Sequence, residues 1–485
     1  MSSAVIILTL AGYITLLFIV AWRASRGISA GGFFTGGRTT HRIVAAIAMV
    51  GAAMSGVTYI SVPGTVAADG FSYLQTCLGF FIGYIIIAYV LIPLYYRLGV
   101  VSLYEYLDHR FGIVAHRTGA WFFFLSKIAS ASLRAYIICV VLQGLLFDRY
   151  NIPFVANAAI MMSLVWLYTR RGGVRSVVWV EVAKTLIMIT SIVLCIIFVI
   201  NALDSTLGTT LSTIAHSDYS DILFLDNPLD RRYFWKQLLA GVFLVVAMTG
   251  LDQDMMQTAL SCPSQRDAQR GMMTSIVIQC VVITLFLLLG ALLYIFVEQY
   301  DIDAPQGDAL FGFVATECGL PLIVGILFLL GLVASTYSSA GSALTALTTA
   351  FTLDILGARR RGDNGAIERR RKWSHALIAV AMTLIIVGFN QWSSAGAITL
   401  IFTMASYTYG PLLGLFIFGL ASRRKPRAGA IPVVAILSPT LSYIIASNSK
   451  TWLCGYQFSY DILILNTILT LLGLWFASLH KANRA

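Results

Sequence analysis

Apolar residues in this chain come in long runs separated by short polar connections. Thirteen runs stand out, at roughly 4–22, 43–67, 72–98, 118–147, 152–170, 174–201, 233–258, 272–298, 319–350, 373–390, 397–420, 429–447 and 461–480. A helix needs about 20 such residues to cross a bilayer. The pattern therefore predicts an all-α polytopic membrane protein with about 13 transmembrane helices. Two runs are interrupted. The second holds Gly51, Ser55-Gly56, Ser61 and Pro63-Gly64, and the seventh holds Met248-Thr249-Gly250 before Leu251-Asp252-Gln253-Asp254. Proline removes a backbone donor and glycine loosens the helix, so both runs are expected to break. Membrane helices break where the freed backbone is buried or lines water.

The interrupted runs lie five apart. Two five-helix repeats, 43–232 and 233–428, put both breaks in first position, with an extra helix and loop at 1–42 and two further helices and a tail at 429–485. An odd repeat length sends the second repeat in from the opposite side, the inverted-repeat logic of many secondary transporters.

The ninth run contains a polar face of its own. No charge occurs from Cys318 to Leu353, yet Ser335, Ser338, Ser339, Ser342, Thr345, Thr349 and Thr352 fall together on one helical face. Such hydroxyls serve close helix packing, or they replace the water around a hard cation. The lower part, Thr345 to Thr352, reads as packing or an inward exit path.

Composition agrees with the pattern: 58% of residues are hydrophobic and 11% charged, with mean hydropathy +0.82. Soluble domains carry about 25% charge. Most of the 33 basic residues fall in the odd-numbered connections and the tail. They include Arg23, Arg26, Arg97, Arg110, Arg170, Arg266, Lys481 and Arg484, and a cluster from Arg359 to Lys372. By the positive-inside rule the N-terminus is outside and the C-terminus inside. The run Val5 to Val20 is followed, not preceded, by basic residues and reads as a retained helix rather than a signal peptide. The 359–372 cluster is then a cytoplasmic loop, and no nucleic-acid partner is expected. Seven scattered Cys without a CxxC give no disulfide framework or zinc site. No HExxH, His cluster or paired carboxylates on one helix face argue for an enzyme. No run between the helices is long enough for a soluble domain, so function is expected within the bundle.

Six ionisable residues lie inside predicted helices: Lys127, Arg134, Glu181, Lys184, Asp252 and Asp254. Each costs a few kcal/mol facing lipid, so they should face a cavity or one another. Lys127 and Arg134, seven apart, share a face. Glu181 and Lys184, three apart, can pair. Arg134 reads either as a fork for a solute carboxylate or as a structural partner of Asp252 or Asp254.

Taken in order, five motifs resemble the sodium:solute symporter family, which includes proline, sugar, iodide and sialic acid carriers. They are Ala53-Met54-Ser55-Gly56 through Pro63-Gly64; Arg171-Gly172-Gly173 through Glu181; Gly250 through Gln257; Ser338-Ser339 before Asp354; and Tyr407-Thr408-Tyr409-Gly410-Pro411. The resemblance implies a LeuT-like 5+5 inverted-repeat core, alternating access, and sodium (Na+) held by the carbonyls of Gly51, Met54 and Ser335 and the hydroxyls of Ser338 and Ser339. A second cation site would use Glu181, Ser338 and Ser342. Here the chain departs from its relatives. Gly341 replaces a third hydroxyl, and Lys184 stands where relatives usually have Gln, so a tethered ammonium or proton coupling through Lys184 and Glu181 stays open. Some relatives also carry a carboxylate at the position of Ala53.

The substrate is expected near the midplane between the breaks, touched by Ser55, Thr58, Gln75, Thr76 and Arg134, with Tyr407 or Tyr409 adding aromatic surface. Lys184, Asp252 and Asp254 are candidates for coupling or gating. The expected function is a sodium-coupled symporter, not an enzyme, that imports a small organic solute. A carboxylate-bearing solute is favoured, with a sugar or polyol as one alternative and proton coupling as another. The expected location is the plasma membrane, as a multi-pass bacterial inner-membrane protein in a lipid bilayer. Oligomeric state stays open.

Overall fold

A computed structural model of the chain describes residues 2–26, 34, 36–100, 102–357, 364–392, 397–453 and 455–479. Arg359, Arg360, Arg361, Lys481 and Arg484 of the expected cytoplasmic charge lie outside the described residues, as does the side chain of Arg171. The described residues contain helices and no strand.

Fifteen principal helices follow in order. They are α1 (Ser3–Ser25), α2 (Arg42–Ala53), α3 (Gly56–Gly64), α4 (Tyr73–Leu98), α5 (Ile113–Leu142), α6 (Phe154–Arg170), α7 (Gly173–Ala202), α8 (Phe234–Gly250), α9 (Gln253–Leu260), α10 (Gln265–Gln299), α11 (Leu322–Ile355), α12 (Asn364–Trp392), α13 (Ala397–Ala421), α14 (Ala430–Ser447) and α15 (Ile462–Leu479). Ten of the described spans are long and apolar enough to cross a membrane alone, and two bent pairs bring the number to twelve. The shorter apolar helix α6 occupies the place of the fifth expected span. It is set off from α7 by a bend at Gly173 (φ 51°, ψ −143°).

Some helices overrun their apolar cores. α10 starts at Gln265, ahead of the expected 272, because Ser264 caps it by accepting from the Asp267 N–H at 3.1 Å. α12 extends back through the charged segment Glu368–Lys372, which continues the helix beyond the apolar run.

Both expected breaks are present. α2 and α3 meet at 63°, and α8 and α9 meet at 67°. The first break falls at Met54 and Ser55, both in extended conformation. Pro63 sits instead near the C-terminal end of α3. The second break follows a π-helical turn, Val246–Gly250, and Asp252 caps α9 by accepting from the Asp254 N–H.

The centre of the bundle is α11. Of its apolar window 78% is buried, against 28% for α1 and 22% for α14. It packs on α7, α5 and α3. The lower end of its hydroxyl stripe is a packing surface: Thr345, Thr348 and Thr349 are buried and donate to the carbonyls four residues back, at 3.0, 2.6 and 2.9 Å.

Candidate cation and solute site

The two breaks face a common cavity of about 100 Å³. Ala52 through Ser55 supply one wall and Met248, Thr249 and Asp252 another. Helix α5 contributes Lys127, Ser130 and Arg134, and α13 contributes Tyr409. Of the residues expected to touch solute, Ser55, Thr58 and Arg134 line this cavity. The Ser55 N–H donates to the Thr58 hydroxyl at 3.3 Å, so this pair also closes the start of α3.

Three expected contacts lie elsewhere. Gln75 is tied to the outer loop: its amide donates to the Arg232 carbonyl at 2.9 Å and accepts from the Phe224 N–H at 3.2 Å. Thr76 donates to Gln237 at 2.6 Å. Tyr407 faces Tyr443, edge to face at 6.1 Å, while Tyr409 two residues on is the aromatic residue of the cavity. In each case the helix was placed correctly, but its rotation was not. Ser130 and Gln279 also line the cavity and carry no distinguishing sequence signal, whereas Thr249 lines it from the expected second break.

Lys127 is the hub of a buried network. Its ammonium donates to both oxygens of Asp252 (3.0 and 2.9 Å) and to Asp254 Oδ2 (3.1 Å). Tyr409 donates to Asp252 Oδ2 at 2.9 Å, and Ser342 donates to Asp254 Oδ2 at 3.0 Å. The network joins α5, the second break, α11 and α13. Asp252 and Asp254 are therefore structural partners of Lys127. Ser342, expected as a second-site ligand, is engaged by Asp254.

This pairing leaves Arg134 unspent. Its Nε is buried without a hydrogen-bond partner, and it forms no ion pair among the described residues. The structural alternative, an Arg134 pair with Asp252 or Asp254, is not what forms. A guanidinium held at the cavity wall with its hydrogen-bonding capacity open suits a planar anion.

Three of the oxygens assigned to sodium by resemblance, the Gly51 and Ser335 carbonyls and the Ser339 hydroxyl, lie where α2 meets α11 and α7, and all three are already in use. The Lys184 ammonium donates to the Gly51 carbonyl at 2.5 Å and to the Ser339 hydroxyl at 2.8 Å, and it stands 3.1 Å from Glu181 Oε2. Ser339 in turn donates to the Ser335 carbonyl at 2.8 Å. A sodium ion on the Gly51 carbonyl would lie within a few ångströms of this ammonium. Two unit charges 4 Å apart repel by about 4 kcal/mol at an effective dielectric of 20. Beside this, Glu181 Oε1 and the hydroxyls of Ser335 and Ser338 are buried without a hydrogen bond of good geometry, while Glu181 Oε2 is held by the Lys184 ammonium. Oxygen donors of this kind fit a hard monovalent cation.

Close packing makes the cluster possible. A Cβ at position 51 would fall 2.5 Å from Thr185 Oγ1 and 2.6 Å from Glu181 Oε2, so only glycine lets α2 approach α7 this closely. At position 341 a Cβ would collide with the Tyr168 hydroxyl. That tyrosine fills the space of the missing third hydroxyl and donates to the Tyr337 carbonyl at 2.8 Å. Tyr168 was not singled out in the sequence, although a glycine within a hydroxyl stripe hints at a large neighbour.

Comparison with known proteins places the chain. The model of the sodium:solute symporter family matches residues 33–436. The chain belongs to this family. It is 24% identical to the human sodium/iodide cotransporter, over 81% of this chain and 61% of the relative. It is 25% identical to sodium-coupled monocarboxylate transporter 1 of Xenopus laevis, over 84% and 65%. It is 22% identical to the sodium/sialic acid symporter SiaT of Proteus mirabilis (strain HI4320), over 94% and 93%. The chain thus spans under two thirds of the length of the first two relatives and nearly all of the third. Its fold matches a solved structure of a Na+-coupled sialic acid symporter in a substrate-bound outward-open state, with TM-score 0.81 at 19% identity, over 98% of this chain and 97% of that one. Mhp1, a nucleobase-cation-symport-1 family transporter, matches with TM-score 0.53 at 13% identity, over 93% and 94%. The fold is LeuT-like.

Proposed function

We propose that this chain is a sodium-coupled secondary transporter that imports a small carboxylate-bearing solute by alternating access. The observation that carries the solute class is Arg134, whose guanidinium lines the cavity between the two breaks while Lys127 occupies the nearby aspartates. Charge balance supports it. Lys127, Arg134 and Lys184 offset Glu181, Asp252 and Asp254, so the core is neutral before anything binds. One sodium together with one monocarboxylate keeps it neutral when occluded, and an uncompensated charge there is costly.

Sodium coupling draws support from the family and from the buried oxygens of Ser335, Ser338 and Glu181 Oε1, which Lys184 does not touch. A cation entering down 100 mV supplies about 2.3 kcal/mol, which alone sustains roughly 50-fold accumulation. In this reading residues 43–232 and 233–428 are the inverted repeats, with the N-terminus outside and the C-terminus inside a plasma membrane, that of a bacterium. Proton coupling is the second reading, favoured by the ammonium on the Gly51 carbonyl. A neutral sugar or polyol is the alternative solute, and it would leave Arg134 without a counter-charge.

Uptake into proteoliposomes tests both choices. Candidate carboxylates are first found by thermal-shift screening of purified protein, then offered with an imposed sodium or an imposed proton gradient. Sodium-driven uptake is expected. Uptake driven by protons alone would replace the main reading with the second.

A further inference from the structure

The bonds of Lys184 are those of a bound cation. The side chain reaches from α7 into the seam between α2 and α11 and is fully buried. An ammonium has three N–H donors and no acceptor. Here it has three oxygens within 3.1 Å: a carbonyl of the last turn before the helix break, a hydroxyl of the α11 stripe, and a carboxylate on its own helix. The carbonyl and the hydroxyl come from the two elements expected to clamp sodium. A third expected ligand, the Ser335 carbonyl, receives the Ser339 hydroxyl. The site is a built cation site, and its cation is covalently attached.

We propose that the Lys184 ammonium is the resident cation of the helix-break site, so that Gly51, Ser335 and Ser339 take no sodium in this protein. The inference rests on the symporter reading and goes past it, because it assigns the ion specificity of one site to one side chain. A tethered charge does not leave with the solute. It holds α2 to α11 as a bound sodium would, but it carries no gradient energy. Any coupling sodium is left to oxygens Lys184 does not touch, chiefly Glu181 Oε1 and the buried Ser338 hydroxyl beside it.

The test is sodium-dependent thermal stabilisation of the purified full chain, read in sodium chloride against N-methyl-D-glucamine chloride and backed by binding of radioactive sodium. Four proteins are compared: the native chain, Ser339→Ala, Lys184→Gln, and Lys184→Gln with Ser339→Ala. Removing the ammonium is expected to open the site, so Lys184→Gln gains a sodium-dependent rise in melting temperature that the added Ser339→Ala removes. Ser339→Ala in the native background is expected to leave the half-saturating sodium concentration unchanged. A folded Lys184→Gln protein with no gained response, or a gained response that survives Ser339→Ala, overturns the proposal. So does a rise of about tenfold in half-saturating sodium when Ser339 alone is replaced. If Lys184→Gln is not recovered folded, that last comparison decides. A native chain with no sodium response supports the tethered cation and removes sodium coupling from the symporter reading. Absence of solute uptake under any gradient would remove the symporter reading itself and leave the binding result standing.

Discussion

Tyr168 donates its hydroxyl to the carbonyl of Tyr337 at 2.8 Å and thereby occupies the space beside Gly341. Helix α6 is locked to the middle of α11 at Gly341, the position where the family resemblance implies a hydroxyl in relatives. Overfilling a packed site typically costs about 1–3 kcal/mol. Gly341→Ala is therefore expected to lower the melting temperature of the purified protein. Tyr168→Phe should relieve only part of this, because the ring carbon Cζ remains 2.5 Å from the new Cβ. An unchanged melting temperature in Gly341→Ala would mean that the two helices are not packed this closely.

Arg134 is the expected solute anchor. A hydrogen bond to a charged group contributes about 1.5–3 kcal/mol, so Arg134→Ala should weaken binding of a carboxylate by roughly 10- to 150-fold. Arg134→Lys keeps the charge but loses the planar fork and should recover only part of the affinity. Calorimetric titration of the carboxylate found by screening gives the answer. Equal affinity in Arg134→Ala would make the residue structural.

Lys127 faces two carboxylates, so its removal leaves two buried negative charges uncompensated. Breaking a buried pair by removing one partner costs about 3–5 kcal/mol. Lys127→Met should strongly destabilise the protein, and Asp252→Asn in the same chain should restore part of the loss. A double-mutant cycle on thermal unfolding measures the coupling. Strict additivity would show that the 2.9 Å contact contributes nothing.

The outer loop supplies a pH effect. The Arg232 side chain, donating to Asp230 at 2.9 Å, holds the Asp230 carboxyl below its usual range. A depressed folded value stabilises the protein above the unfolded carboxylate pKa of about 4. That stability is lost as pH falls through the folded value. The pair is partly exposed, so the effect is at most about 1 kcal/mol. Asp230→Asn should lower stability slightly at neutral pH and converge with the native chain in acid. A gap that widens in acid would contradict this assignment.

Much of this was legible in one dimension. Apolar run length determined the helices, since a continuous run of about 20 apolar residues spans a bilayer as a helix that satisfies its own backbone. The second break was legible at Gly250, and the first to within a few residues, because Pro63, a helix breaker by type, is accommodated inside α3 while the chain bends at Met54 and Ser55. The hydroxyls of α11 were legible as a stripe because 3.6-residue periodicity puts them on one face. The pairing of Glu181 with Lys184 followed from a spacing of three.

What the sequence alone did not decide was which way each helix is turned and which charge meets which. Gln75 and Tyr407 lie on the right helices but face away from the cavity, because rotation is set by neighbours remote in sequence. Lys127 lies far along the chain from Asp252, and only packing of α5 against the second break gives it that partner and leaves Arg134 open. In the same way, the family resemblance implies sodium at Gly51 and Ser339, and only the packing of α2 on α7 shows that a lysine, Lys184, reaches the same oxygens.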